Sequence, residues 1–140
     1  LARIMLLEES NLRCNLLTAR DAYVAMEILR NNAGESSMVD LLLLDINMPG
    51  MDGFELLEEM RASEALRDVP VLICSTSGYD KDMERAKALG AIGYLAKPAE
   101  LDKLKPFLER IVRLRLSADD QGHVLSRAAM PDAASVVSDL

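Results

Sequence analysis

Three short stretches of this chain end an apolar run on a group that can do chemistry. Residues 41–45 read LLLLD, so four leucines run directly into Asp45. Residues 69–77 read VPVLICSTS and bring Ser75, Thr76 and Ser77 after an apolar segment. Residues 91–98 read AIGYLAKP and bring Lys97 and Pro98 after another. A carboxylate, a hydroxyl and an ammonium on one site suit phosphoryl chemistry. The carboxylate can take a phosphoryl group as an acyl phosphate. The lysine can neutralise the phosphoryl oxygens as a point charge, and the hydroxyl can hydrogen-bond one of them. A divalent cation is the usual companion, and Mg²⁺ favours carboxylate and carbonyl oxygens.

These groups converge only if the elements behind them lie side by side. Residues 12–18 read as a strand. Residues 21–30 read as a helix with apolar Ala22, Ala25, Met26 and Leu29 at helical spacing and Asp21 as N-cap. Residues 39–44 are nearly continuous apolar, as expected of a strand buried on both faces of a parallel sheet. A helix follows at 53–61, with Phe54, Leu57 and Met60 on one face. A strand is expected at 69–74, then a helix at 80–89 with Met83, Ala86 and Leu89 on one stripe and Gly90 as cap. The reading ends with a strand at 91–95 and a helix at 100–116 with Pro106 near its first turn or at a kink. This alternation predicts an α/β fold, a doubly wound parallel sheet, whose functional groups gather beyond the carboxyl ends of the strands.

With those elements in place, Asp45 within LLLLDINMPGMDGFELL, Ser75 after PVLIC and Lys97-Pro98 within GAIGYLAKP resemble the receiver domain of two-component response regulators. The resemblance covers about residues 10–110 and implies a flavodoxin-like receiver fold. It implies that Asp45 is the phosphoacceptor, that Ser75 is the switch hydroxyl and that Lys97 binds the phosphoryl group. Tyr94 matches the aromatic whose rotamer follows phosphorylation, and the Lys97–Pro98 bond is expected to be cis. Asp45 and the backbone carbonyl of Asn47 would hold Mg²⁺. Asp52 and Gly53 read as loop and cap before the next helix. The implied partner is a histidine kinase or a histidine phosphotransfer protein, with an output protein that the sequence does not name. No enzyme activity is expected beyond self-phosphotransfer and autodephosphorylation. The alternative is a pseudo-receiver that binds other proteins without phosphorylation. A haloacid-dehalogenase-type phosphatase would want a second aspartate two residues after the first, where this chain has Asn47.

One part of the family pattern is not met. A receiver's first strand is central in the sheet and ends in an acidic pair that helps to hold Mg²⁺. The candidate here is RIMLLEES, with Glu8 and Glu9 as ligands. Yet the segment from 12 onward resembles the second strand and second helix, so a helix should precede it. Leu1, Ile4, Met5 and Glu8 would share one helical face with Leu7 beside it, and 1–10 is therefore read as helix, with strand 1 missing or replaced. On that reading Mg²⁺ binds weakly or not at all, and the chain closes the gap, dimerises with a second copy or belongs to a longer protein. The start at Leu rather than Met suits a truncated N-terminus. Domain limits are set at 1–116 for the receiver and 117–140 for a tail or linker, with a short helix over HVLSRAAM as the alternative.

Composition bounds the rest. The chain has 140 residues, enough for one domain with a real core. A net charge of −7 argues against a nucleic-acid surface. No apolar run approaches the roughly 18 residues of a membrane span. Cys14 and Cys74 lie in apolar runs and read as reduced core thiols of a cytoplasmic protein. His123, the single histidine, lies in a polar segment, which argues against a histidine-based site.

Overall fold

The computed structural model describes residues 4–7, 12–32, 39–46, 53–75, 80–97, 99–128 and 134–138. In chain order these form β1 (Ile4–Leu7), β2 (Leu12–Thr18), α1 (Ala22–Asn31), β3 (Leu41–Asp45), α2 (Gly53–Ala62) and β4 (Val71–Ser75). Then come α3 (Asp80–Ala88), β5 (Gly93–Ala96), α4 (Leu101–Leu108), β6 (Leu114–Asp119), β7 (Gly122–Arg127) and β8 (Ser135–Ser138). The described strands join one sheet whose bonded neighbours run β5-β4-β3-β8-β2-β7-β6; β7 and β8 pair with successive parts of one edge of β2, and β1 pairs with its other edge.

The expected doubly wound core is present. β2, β8, β3, β4 and β5 are mutually parallel along the sheet. Side chains alternate strictly between two apolar layers. Leu42, Leu44, Val71, Ile73 and Val137 face α1, α2 and α3, where Ala22, Met26, Phe54, Leu57 and Ala86 meet them. Leu41, Leu43, Leu72, Cys74 and Val136 face the other way, onto Leu104 and Leu108 of α4 and onto Leu114 and Leu125. This explains the unbroken leucine run: both faces of β3 are dry. Each leucine so buried is worth roughly 1.5–3 kcal/mol relative to exposure.

The helices form for reasons close to those expected. The Asp21 carboxylate caps α1 by accepting from the Val24 amide at 2.9 Å. Gly90 has φ +78 after α3, a conformation open to glycine and costly to other residues. Two details differ. Met83 is 45% exposed, so the buried stripe of α3 reduces to Ala86, with Leu89 partly buried beyond the helix. α4 stops at Leu108 rather than 116, and Pro106 sits at its sixth position, where it donates no bond to the preceding turn.

The chain ends depart most. Residues 4–7 are not helical: β1 is a strand, antiparallel to β2, with Leu7 opposite Leu12 and Ile4 opposite Asn15. Four residues separate the two strands, and a parallel return needs a dozen or more. A hairpin is therefore the arrangement open to β1, and the central position it would hold in a receiver goes elsewhere. β8 takes it, pairing with Asn15–Thr18 of β2 on one side and Leu41–Leu43 of β3 on the other. The segment from 117 onward is thus neither linker nor helix in its described part. HVLSR lies in β7, β6 crosses the boundary set at 116, and both belong to the same sheet as the core.

Asp40, just before β3, ties these late strands to the core. Its Oδ2 accepts from Arg127 Nε at 2.9 Å and from the Ser135 amide at 2.8 Å, and its own amide donates to Ser135 O. At 4% exposure its charge is offset by Arg127. Asn15 Nδ2 adds a bond to Ser135 Oγ. Elsewhere Arg61 closes the far end of the core, donating to the carbonyls of Leu89, Gly90 and Arg67.

Removing one partner of a buried pair leaves the other uncompensated, so Asp40→Ala should lower unfolding free energy by about 3–5 kcal/mol in a urea titration. Arg127→Ala added on top should cost much less than its single effect. Cys14 is fully buried, and burial pushes its thiol up to about 12. Because the folded state holds this proton more tightly than the unfolded one, its contribution to stability is intact below the thiol's ordinary value and is lost as pH rises from 9 toward 12. At pH 8.5 it should react with a maleimide far more slowly in the folded protein than in denaturant, read by mass spectrometry.

Candidate phosphoacceptor site

The carboxyl ends of β3, β4 and β5 lie together, and each ends on a residue of chemical interest. Asp45 closes β3, its Cα paired with Cys74. Ser75 closes β4, one step further along, its Cα paired with Ala96. The Lys97 amide continues that ladder by donating to Ser75 O at 2.9 Å. The register therefore delivers a carboxylate, a hydroxyl and an ammonium to one edge, from residues 52 apart in sequence at the extremes.

The decisive contact is between the outer two. Lys97 Nζ donates to Asp45 Oδ2 at 2.5 Å. The Asp45 side chain is 10% exposed and that of Lys97 26%. The carboxylate is thus nearly dry, while the ammonium keeps one side toward water. A buried carboxylate is costly unless paired, and Lys97 supplies the pairing. Ser75 is fully buried beside them. Tyr94 stands three residues before Lys97, opposite Ile73, half-buried against the layer that holds α1, α2 and α3. It lines a cleft of about 460 Å³ between α3 and α4, with Met83, Lys87, Phe107 and Arg110.

Two glycines hold this geometry. A Cβ on Gly53 would stand 2.8 Å from Ile46 Cα and 2.9 Å from Asp45 O, so the first residue of α2 rests on the backbone leaving the phosphoacceptor candidate. A Cβ on Gly93 would overlap the Phe107 ring at 2.2 Å, so α4 packs on β5 through a bare backbone.

Asp45 and Ser75 end β3 and β4, Tyr94 lies within β5 and Lys97 follows it. Asn47, Glu8, Glu9 and Pro98 lie outside the described residues, as do Thr76, Ser77 and Asp52. The residue before Glu8 is Leu7, which pairs with Leu12 at the end of the sheet remote from Asp45. Among the described residues no three His, Cys, Asp or Glu side chains gather to hold a metal. Asp40 and Gly53 are the residues whose roles sequence reasoning missed or left vague. A lone acid at the mouth of an apolar strand was the signal for the first.

The response regulator receiver domain model matches residues 3–109. This chain belongs to the response regulator receiver family. The match includes β1 and ends before β6. A two-component response regulator of Oryza sativa, ORR23, is 32% identical over 123 residues, covering 86% of this chain but 17% of its own length. A probable methanogenesis regulatory protein of Methanothrix harundinacea, FilR2, is 38% identical over 93 residues, 66% of this chain and 60% of that protein. This chain thus spans under a fifth of the first relative. Among solved structures, the phosphorylated cyanobacterial phytochrome response regulator RcpA is 38% identical, with TM-score 0.53 over 63% of this chain and 64% of that one. The Mn²⁺-bound form of response regulator Rcp1 is 32% identical, with TM-score 0.56 over 73% and 76%. The receiver family is a signalling module rather than a conventional enzyme. No described helix is long and apolar enough to cross a membrane.

Gly53→Ala should push α2 off the backbone at Asp45 and Ile46 and cost about 1–3 kcal/mol, the usual range for overpacking, seen as a lowered denaturation midpoint with unchanged slope.

Proposed function

We propose that this chain is a phosphorylation switch in which Asp45 accepts a phosphoryl group from a histidine kinase or a histidine phosphotransfer protein. The observation that carries the reading is the Lys97–Asp45 pair: a nearly dry carboxylate met by an ammonium that follows a separate strand. Nothing in the packing of β3 requires that pair, since the leucines before it already bury the strand. A pair that serves only stability is better replaced by apolar groups.

The chemistry follows from the charges. A carboxylate oxygen of Asp45 attacks the phosphorus of a phosphohistidine. The new O–P bond forms as the P–N bond breaks, and its electron pair leaves on the imidazole nitrogen. The product is an acyl phosphate, with about two negative charges replacing one. Lys97 then pairs with phosphoryl oxygens instead of the carboxylate, and the Ser75 hydroxyl donates to another. Tyr94, one strand-face away and bordering an open cleft, follows that rearrangement and changes the surface of α3, β5 and α4. Asp45 and the Asn47 backbone carbonyl would hold Mg²⁺, with Glu8 and Glu9 as the acidic ligands read from the sequence, and the ion would supply further neutralisation of the incoming group. Hydrolysis of the acyl phosphate returns the resting state.

A second reading, a pseudo-receiver that binds partners without phosphorylation, is favoured by one observation. β1 reaches Leu7 at the end of the sheet remote from Asp45.

Incubation with acetyl phosphate and Mg²⁺, read by intact mass, separates the two. A single phosphoryl adduct is expected, absent without Mg²⁺ and absent in Asp45→Asn. Lys97→Ala should slow its formation about a hundredfold, in line with loss of one charge-stabilising donor. A folded protein that takes up no phosphoryl group would establish the pseudo-receiver.

A further inference from the structure

In the flavodoxin-like order 2-1-3-4-5, the strand between the second and third is the first in sequence. Here that position belongs to β8, the last strand of the described chain. We infer that the channel between β2 and β3 is a strand-binding site whose occupant is the chain's own C-terminal segment, and that β1 is dispensable to the fold.

The burial pattern supports the first half. Val136 and Val137 are 1% and 0% exposed, one in each apolar layer, and Ser135 and Ser138 are also buried. β8 is bonded on both edges, to Asn15–Thr18 and to Leu41–Leu43. Its entry is fixed by Asp40 on the Ser135 amide and on Arg127, and by Asn15 on Ser135 Oγ. Without β8, two interior strand edges and two faces of leucine would meet water, and the backbone groups of 15–18 and 41–43 would lose their partners. β3, which carries Asp45, is one of those strands. The C-terminus therefore controls whether the phosphoacceptor stands on an intact sheet.

The topology supports the second half. β1 and β7 both pair with Leu12 and Arg13 of β2, so they lie on opposite edges of it, and β8 shares the edge of β7. β1 is thus an outer strand bonded through β2 alone. Strand addition of this kind uses main-chain bonds for affinity and alternate side-chain pockets for fit. The tail SVVS meets that requirement with one valine for each layer.

Hydrogen–deuterium exchange on the intact chain tests this without reference to phosphorylation. Segments covering 134–138 should be protected to within about tenfold of those covering 41–45, and residues 4–7 should exchange at least about a hundredfold faster. Exchange of 134–138 at the rate of an open chain, with 41–45 still protected, would overturn the assignment. Size-exclusion chromatography with light scattering on the same sample should show a monomer; a dimer would mean that β8 comes from a second copy and would overturn completion within one chain. A variant beginning at Leu12 should keep a cooperative melt. A variant ending at residue 128 should lose it and regain it when a synthetic peptide of residues 129–140 is added, but not with a scrambled peptide. Unfolding of the first variant, or a cooperative melt of the second alone, also overturns the inference.

Discussion

Four residues between Leu7 and Leu12 decide the architecture. A strand cannot return parallel to itself over so short a link, because the chain must first travel back along the whole sheet. β1 is consequently locked into a hairpin on the outer edge of β2, and the middle of the sheet is left without its sequence-first member. The two strands that flank that place are the least able to do without a neighbour. β3 is leucine on both faces, and β2 carries Cys14 and Leu16 into the second layer. Every later feature, from the docking of the C-terminal strand to the burial of Asp40, answers this one shortfall.

The site depends on the same constraint at one remove. Asp45 can be held nearly dry because β3 is fixed on both edges, by β4 and by β8. A carboxylate on a loose strand end would turn to water and leave Lys97 without a defined partner. Held in place, it keeps a charge pair whose geometry a phosphoryl group can capture, since both partners sit at the strand ends with one side of the lysine open. Gly53 contributes from the other direction by letting α2 begin in contact with the backbone that leaves Asp45.

Much of the region from 12 to 97 was legible in the sequence, because its signals are local. Period-two and continuous apolar runs marked β2, β3 and β4, and period-3.6 runs with Asp21 and Gly90 marked α1 and α3. The chemical residues were legible for the same reason: they stand directly after apolar runs, and Asp45, Ser75 and Lys97 lie together as their positions implied. What was not legible rests on distant partners. Residues 4–7 satisfy a helical stripe as well as a strand, and only the pairing of Leu7 with Leu12 distinguishes them. SVVS is too short and too polar to announce a central strand, and its conformation comes from β2 and β3 on either side. Asp40 carried no signal within the run 39–44, since the residue that explains it, Arg127, is 87 positions away.

A sheet completed from its far terminus also changes what the molecule can couple. In a chain whose central strand comes first, the middle of the sheet forms early and stays remote from whatever follows. Here the central strand is reached last, through a hairpin, β6 and β7, that is anchored on β2 by Leu12 and Arg13 and by the ion pair of Arg13 with Asp119. Contacts of long sequence separation are slow to form because the loop must close before they stabilise anything. β3 has its second edge satisfied by a pairing of this long-separation kind, Leu41–Leu43 with Val136–Ser138. β8 and β4 are the two walls that keep β3, and with it the Asp45–Lys97 pair, in register.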